Sequence, residues 1–219
     1  MSEPGNQHDM AEDTRRTRAR YDRIAGIYDP MEIVVERLGF SRWRPTLWER
    51  VKGPRVLEIG VGTGKNFPYY PSGMDVTALD ISPKMLERSR DKAERDNVPV
   101  TLELGDVQDM QFPDDCFDTV VATFVFCSVP DPVKGLREAA RVLKPGGQLL
   151  LMEHVLSQKR IIKRFMHLAN PVIVRLSGAN INRETVRNVQ RAGMEITSVE
   201  DLWTDIVKLI EARADGTDA

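Results

Sequence analysis

From residue 53 onward, short apolar runs alternate with amphipathic stretches. Residues 55–59 predict a first strand, since Val56, Leu57 and Ile59 make a β-forming apolar run before a glycine-rich turn. A short helix is expected through 67–70, stopped by Pro71, with a second strand at 75–80. Ser82 followed by Pro83 is a helix start, a hydroxyl cap with proline at the first helical position. That helix should run to about Asp96 and end near Asn97. A third strand follows at 100–104, a surface turn at 112–115, and a fourth strand at 117–124. The fourth run is almost continuously apolar, as in strands buried on both faces. Asp131 and Pro132 open another helix, through Leu143, and 148–155 reads as the fifth strand. Strand and helix in regular alternation call for an α/β fold with a parallel sheet and helices on both faces.

The flanks differ in kind. Residues 1–14 are polar and are expected to be a disordered tail. Residues 15–52 read as helical, with Tyr21, Ile24 and Tyr28 on one face and arginines between them, and would form a lid over the core at 53–155. Residues 156–193 contain a basic amphipathic stretch, 159–175, which has no acidic residue and is expected to break at Pro171. It reads equally as a solvated surface helix and as a substrate cap touching an anionic lipid surface. A helix over 183–192 and two strands, 195–201 and 204–212, complete the pattern within a C-terminal segment and tail, 194–219. These strands should pair antiparallel through a turn at Leu202 and Trp203.

Composition narrows the field. At 219 residues the chain suits one α/β domain with a full core. Its formal charge of −2 gives no global nucleic-acid footprint. Cys116 and Cys127 are too few for a disulfide framework or zinc site, which sets an expectation of a reducing, cytoplasmic setting. His8, His154 and His167 have no metal-ligand spacing, and no metal is expected.

The candidate chemistry begins where the first strand ends. Gly60, Gly62 and Gly64 are spaced G-x-G-x-G, so backbone N–H groups can approach a ligand without Cβ atoms in the way. This is not the G-x-G-x-x-G of a dinucleotide fingerprint. Asp80, twenty residues after Gly60 and at the end of the second strand, is placed to take ribose hydroxyls. A nucleoside-binding turn is the reading.

Four stretches carry a family resemblance: LEIGVGTG at 57–64, ALDISPKML at 78–86, LGDVQDMQFPDDCFDTVV at 104–121 and REAARVLKPGGQLLLMEH at 137–154. With them the chain resembles the class I S-adenosylmethionine-dependent methyltransferases, of the type 11 group, over about residues 20–210. The resemblance implies a Rossmann-like, doubly wound, seven-stranded sheet whose last strand is antiparallel. It implies that Glu58, Gly60, Gly62 and Gly64 cradle the methionine part of the cofactor and that Asp80 holds the ribose, with Ile81 against the adenine. Asp106 would take the adenine amino group beside Val107, and the region from Thr123 to Cys127 would flank donor and acceptor.

The stretch YDRIAGIYDPMEIVVERLGFSRWR at 21–44 resembles the entry of quinone C-methyltransferases. Where those enzymes carry an arginine–asparagine pair after the fourth strand, this chain reads Phe126, Cys127, Ser128 and Val129. VFCSVPDP, LMEHV and GANINRE look like membrane-associated thiol S-methyltransferases, and FCSVPDP also like bacterial phospholipid N-methyltransferases. The acceptor these likenesses imply is a small lipophilic or membrane-borne molecule: a phospholipid amine, a thiol or a quinone precursor. A peripheral contact with an anionic membrane goes with it. The alternatives are a soluble small acceptor, and a cofactor-binding domain that regulates without catalysis. His154, at the exit of the fifth strand, is the candidate general base, and Tyr21 and Tyr28 would close the site or donate hydrogen bonds. Glu153 should point to the opposite face from His154, and Cys127 reads as a packed thiol.

Overall fold

The computed structural model describes residues 12–23, 25 and 42–214. Helix α1 covers residues 12–23, so the helical segment opens within the stretch expected to be a disordered tail. Tyr28 lies outside the described residues, as do 1–11 of that tail and most of the segment between α1 and residue 42. The rest comprises α2 (Trp43–Trp48), β1 (Arg55–Ile59), β2 (Asp75–Asp80), α3 (Pro83–Asp96), β3 (Thr101–Leu104), β4 (Phe117–Thr123), α4 (Pro132–Val142), β5 (Leu143–His154), α5 (Arg160–Ser177), α6 (Thr185–Arg191), β6 (Met194–Trp203) and β7 (Val207–Ala214).

The seven strands form one sheet in the order β3-β2-β1-β4-β5-β7-β6. β1 to β5 run parallel, and β7 runs antiparallel between β5 and β6. Period-two alternation separates the two sides. Val56, Val76, Val121, Leu150 and Met152 meet Trp43, Leu47 and Trp48 of α2. Leu57, Ile59, Val120, Ala122, Leu149 and Leu151 face the other way, against Leu136, Ala139 and Val142 of α4 and Val189 of α6. Helices cover both faces, the doubly wound arrangement.

Local chemistry sets the boundaries. The Ser82 hydroxyl accepts from Met85 N at 3.2 Å, and Asn97 ends α3 in the left-handed conformation, as the cap and stop residues led one to expect. Asp131 caps α4 through Val133 N and Lys134 N. Three boundaries differ from the sequence reading. β5 begins at Leu143, because Phe117 and Leu143 pair ahead of a register shift, so the Lys144–Gly147 segment joins the ladder. The last hairpin turns at 204–206, not at Leu202 and Trp203: Thr204 takes a positive φ and Ile206 N donates to Trp203 O. α5 continues through Pro171. Pro171 is exposed there, so water can take the carbonyl that loses its donor.

The strand order reverses between β1 and β4: β2 and β3 lie on one side of β1, β5 on the far side of β4. In open α/β sheets such a switch point opens a crevice at the carboxyl ends of the strands.

Candidate active site

A cavity of about 100 Å³ occupies that crevice. Ile59 and Gly60 end β1, Leu79, Asp80 and Ile81 end β2, Gly105, Asp106 and Val107 follow β3, and Thr123 to Val125 with Ser128 to Pro130 supply the wall after β4. Thr17 and Tyr21 of α1 close it from above. Among the described residues that line it there is no lysine, arginine or histidine, whereas there are two aspartates.

The glycine turn is built from three different constraints. Gly60 has φ +71°, and a Cβ there would lie 2.4 Å from Val125 Cγ2, so this glycine makes room for the β4 loop. Gly64 likewise faces Phe67 and does not line the cavity. Gly62 is the open one: a Cβ there meets nothing within 4 Å, and its N–H donates to Asp80 Oδ2 at 2.8 Å. Asp80 Oδ1 accepts from Ser82 N at 2.9 Å. Each carboxylate oxygen has a further lone pair, so Asp80 can tie the two loops and still accept from a ligand. Burial pushes the Asp80 carboxyl up, against the backbone N–H bonds of Ser82, Gly62 and Ile81 that favour its charge.

Glu58, expected in the cradle, does not line the cavity. Its carboxylate accepts from Asn66 Nδ2 at 2.6 Å and from the Tyr70 hydroxyl, while Arg44 binds Asn66 Oδ1 at 2.7 Å. Asn66 Nδ2 also donates to Thr123 Oγ1 at 3.1 Å. Asn66, held by Glu58, therefore joins the turn after β1 to the end of β4.

At the β3 end, Asp106 accepts from Gln108 N at 2.9 Å and from Thr14 Oγ1 at 3.2 Å. α1 is also held at Asp22, whose Oδ1 accepts from Ser82 Oγ at 2.6 Å, and at Tyr21, whose hydroxyl is 2.7 Å from Ser128 Oγ. One helix thus crosses the β2, β3 and β4 loops. Burial raises the Tyr21 phenol, which stays protonated as a hydrogen-bond donor.

The β4 wall is strained and braced. Phe124, which lines the cavity, has φ +57°, a conformation costly for a bulky residue. Glu153, fully buried, accepts from Val125 N at 2.7 Å and Phe126 N at 2.9 Å, and burial lifts its carboxyl to about 7. Its second oxygen has no hydrogen-bond partner among the described residues. Cys127 is buried, its thiol pushed up to about 12 by burial.

His154, expected as general base, is not a lining residue: its ring packs on Phe124 with centroids 5.2 Å apart. Burial pushes it down to about 4, so it is neutral near pH 7. Tyr21, Gly60, Gly62, Asp80, Ile81, Asp106, Val107 and Thr123 line one cavity, whereas Glu58, Gly64 and His154 do not. Sequence reasoning missed Thr17, which lies in no motif, and gave Ser128, inside VFCSVPDP, no role of its own. Glu153 was considered only as the neighbour of His154.

Comparison with known proteins fits this geometry. Residues 57–151 match the family model described as a methyltransferase domain, Methyltransf_11. A demethylmenaquinone methyltransferase of Clavibacter sepedonicus is 31% identical over 180 residues, covering 78% of this chain and 73% of that protein. The chain belongs to the S-adenosylmethionine-dependent methyltransferases.

Other relatives of this methyltransferase-family chain diverge in what they are named for. A phosphatidylethanolamine N-methyltransferase of Cereibacter sphaeroides is 40% identical over 120 residues, 54% of this chain and 59% of that protein. A thiol S-methyltransferase of Rattus norvegicus is 35% identical over 158 residues, 66% of this chain and 62% of that protein. The chain thus spans about three-fifths of the length of these two curated relatives. A solved Thermotoga maritima structure, titled a S-adenosylmethionine-dependent methyltransferase and possible histamine N-methyltransferase, shares the fold with a TM-score of 0.67 at 20% identity. That likeness covers 90% of this chain and 99% of the other. Among the described residues, no His/Cys/Asp/Glu group could hold a metal and no helix is long and apolar enough to cross a membrane.

The cavity fits the family's cofactor. A cationic sulfonium on a neutral nucleoside calls for carboxylates and close backbone, and has no phosphate to be met by cations. Asp80, Asp106 and the open face of Gly62 supply those features.

Proposed function

We propose that this protein transfers a methyl group from S-adenosylmethionine to a small lipophilic or membrane-borne acceptor, a phospholipid amine, a thiol or a quinone precursor. The observation carrying the transfer is the crevice at the strand-order switch, with two aspartates and no basic residue among the described residues of its lining. In this reading Asp80 holds the ribose hydroxyls with Ile81 beside the adenine, Asp106 with Val107 holds the adenine amino group, and Gly60 and Gly62 leave room for the methionine part. When bound, the cofactor supplies an electrophilic methyl carbon on a positively charged sulfur.

The chain's own task is then alignment and exclusion of water. α1 acts as the lid: Thr17 and Tyr21 roof the cavity, and the helix is pinned at Asp106, Ser82 and Ser128. Thr123 to Ser128 form the acceptor wall, held by Glu153 behind the strained Phe124. Tyr21 Oη and Ser128 Oγ, bonded to each other, offer a donor and an acceptor at that wall and orient the incoming nucleophile. His154 acts as support for Phe124 and not as the base. The lipophilic acceptor class rests on the mainly apolar wall from Phe124 to Pro130 and on three relatives named for lipid, quinone and thiol methylation. A cytoplasmic location, peripheral at a membrane, belongs to the same reading.

Calorimetry with S-adenosylmethionine and its demethylated product tests the first part; absence of binding to both would sink it. Labelled cofactor incubated with phosphatidylethanolamine, hydrophobic thiols and a demethylated quinone tests the second. Label entering only water-soluble acceptors would overturn the lipophilic assignment.

A further inference from the structure

Seven large hydrophobic side chains are exposed among the described residues, and four of them lie on α5: Ile161 at 86%, Phe165 at 67%, Leu168 at 71% and Val172 at 60%. Their spacing of four, three and four residues gathers them into about 60° of helical arc and a line roughly 17 Å long. α5 is not simply loose. Met166, on its other side, is buried, and Asn170 Oδ1 accepts from Ile181 N at 2.9 Å. The helix is seated by one face and presents a second apolar face outward.

The charges beside this stripe identify what it meets. Between His154 and Arg183 the sequence holds no aspartate or glutamate. Arg160, Arg164 and Arg175 are exposed and fall on one flank of the stripe by helical geometry, with Lys159 exposed at its start. An apolar line bordered by cations matches a bilayer surface, where side chains enter the acyl boundary and guanidinium groups meet phosphates. A second copy of this chain docked face to face would bring the same cations against themselves.

The place of this face adds to the argument. Asn170 Nδ2 donates to Asn180 Oδ1, and Asn180 N and Nδ2 both donate to the carbonyl of Cys127, at 2.8 and 3.1 Å. Cys127 adjoins Ser128 in the cavity wall. Two hydrogen-bonded steps therefore join α5 to the acceptor side of the cavity.

We infer that the outward stripe of α5 docks the protein on an anionic lipid bilayer and so presents the acceptor wall to that surface. The assignment builds on the methyltransferase reading and names where its lipophilic acceptor is taken from. Flotation of the full chain with phosphatidylcholine vesicles, with and without phosphatidylglycerol, tests it. Binding should require phosphatidylglycerol and weaken as salt rises. Arg160→Gln with Arg164→Gln should lower the partition about 25-fold, roughly fivefold for each charge. Phe165→Ser with Leu168→Ser should lower it by tenfold or more.

Both double variants should bind S-adenosylmethionine like the parent in calorimetry, so loss of docking and loss of the cofactor reading are told apart. Equal binding to neutral vesicles, no binding to either kind, or variants that float like the parent would each overturn the inference. So would a dimer in sedimentation that Phe165→Ser with Leu168→Ser dissociates, since a second copy would then cover the stripe.

Discussion

Tyr21 of α1 and Ser128 of the β4 loop, 107 positions apart in the chain, meet with their hydroxyl oxygens 2.7 Å from one another. In the proposed function this contact closes α1 on the acceptor wall and not on the cofactor end. Tyr21→Phe keeps the ring and removes the bond, worth about 1 kcal/mol. The expected outcome is a rise of roughly fivefold in acceptor KM or an equal fall in kcat, with S-adenosylmethionine affinity within about twofold of the parent. Steady-state kinetics beside calorimetry would decide; a variant that loses cofactor affinity and nothing else would place Tyr21 at the wrong end.

Two glycines of the same turn should behave differently. An alanine at Gly60 needs a left-handed backbone and meets Val125 at 2.4 Å, so Gly60→Ala should lower stability by about 2–4 kcal/mol. An alanine at Gly62 keeps the backbone cost, about 1–2 kcal/mol, but fills open space. Its main effect should be on cofactor affinity. Urea unfolding and calorimetry on both variants measure the two effects separately, and equal profiles would contradict the division.

Glu153 makes the fold sensitive to pH. Its carboxyl is lifted by burial from 4.5 to about 7, so the folded protein binds this proton more tightly than the unfolded chain. Its contribution is favourable below about pH 4.5 and is lost as pH rises through about 7, at a cost of about 3 kcal/mol when fully ionised. Glu153→Gln retains an oxygen for Val125 N and Phe126 N. Between about pH 5 and 8 the variant should gain stability relative to the parent, read as the difference in urea midpoints. A constant difference would show that Glu153 does not titrate in this window.

The His154 imidazole has the opposite sense. Burial holds it down at about 4, so the neutral ring is favoured and stability is lost as pH falls from about 6.5 through 4. Near neutrality its protonation does not change. His154→Ala should leave the shape of the kcat/KM profile between about pH 6 and 9 unaltered while costing about 1 kcal/mol of packing against Phe124. Loss of a limb in that range would restore His154 as the base.

Local signals in the sequence proved sound where one residue decides the structure. Ser82, Asn97 and Asp131 begin or end helices by their own chemistry, and the alternation of apolar runs with amphipathic stretches marks the strands and helices of a parallel sheet. What depends on distant partners was not legible. Period two puts Glu153 and His154 on opposite faces, but it does not say which of them turns toward the β4 loop. The acidic residue before the glycine turn looks like a ligand until Asn66 and Tyr70, folded back from the following segment, take up its oxygens. Proline at 171 breaks a helix in the abstract; on an exposed face, with Met166 and Asn170 anchoring the helix, it is tolerated. Thr17 reaches the cavity only because α1 crosses three loops.

The position of β7 has a consequence for how the chain comes together. β6 precedes β7 in sequence yet sits outside it in the sheet, so β6 has no ladder to join until β7 has inserted beside β5. During synthesis β5 therefore waits with an open edge carrying Leu149, Leu150, Leu151 and Met152, all fully buried in the finished fold. Such an edge invites pairing with other chains. The nascent protein is most exposed to aggregation after β5 has left the ribosome and before residues 207–214 have emerged.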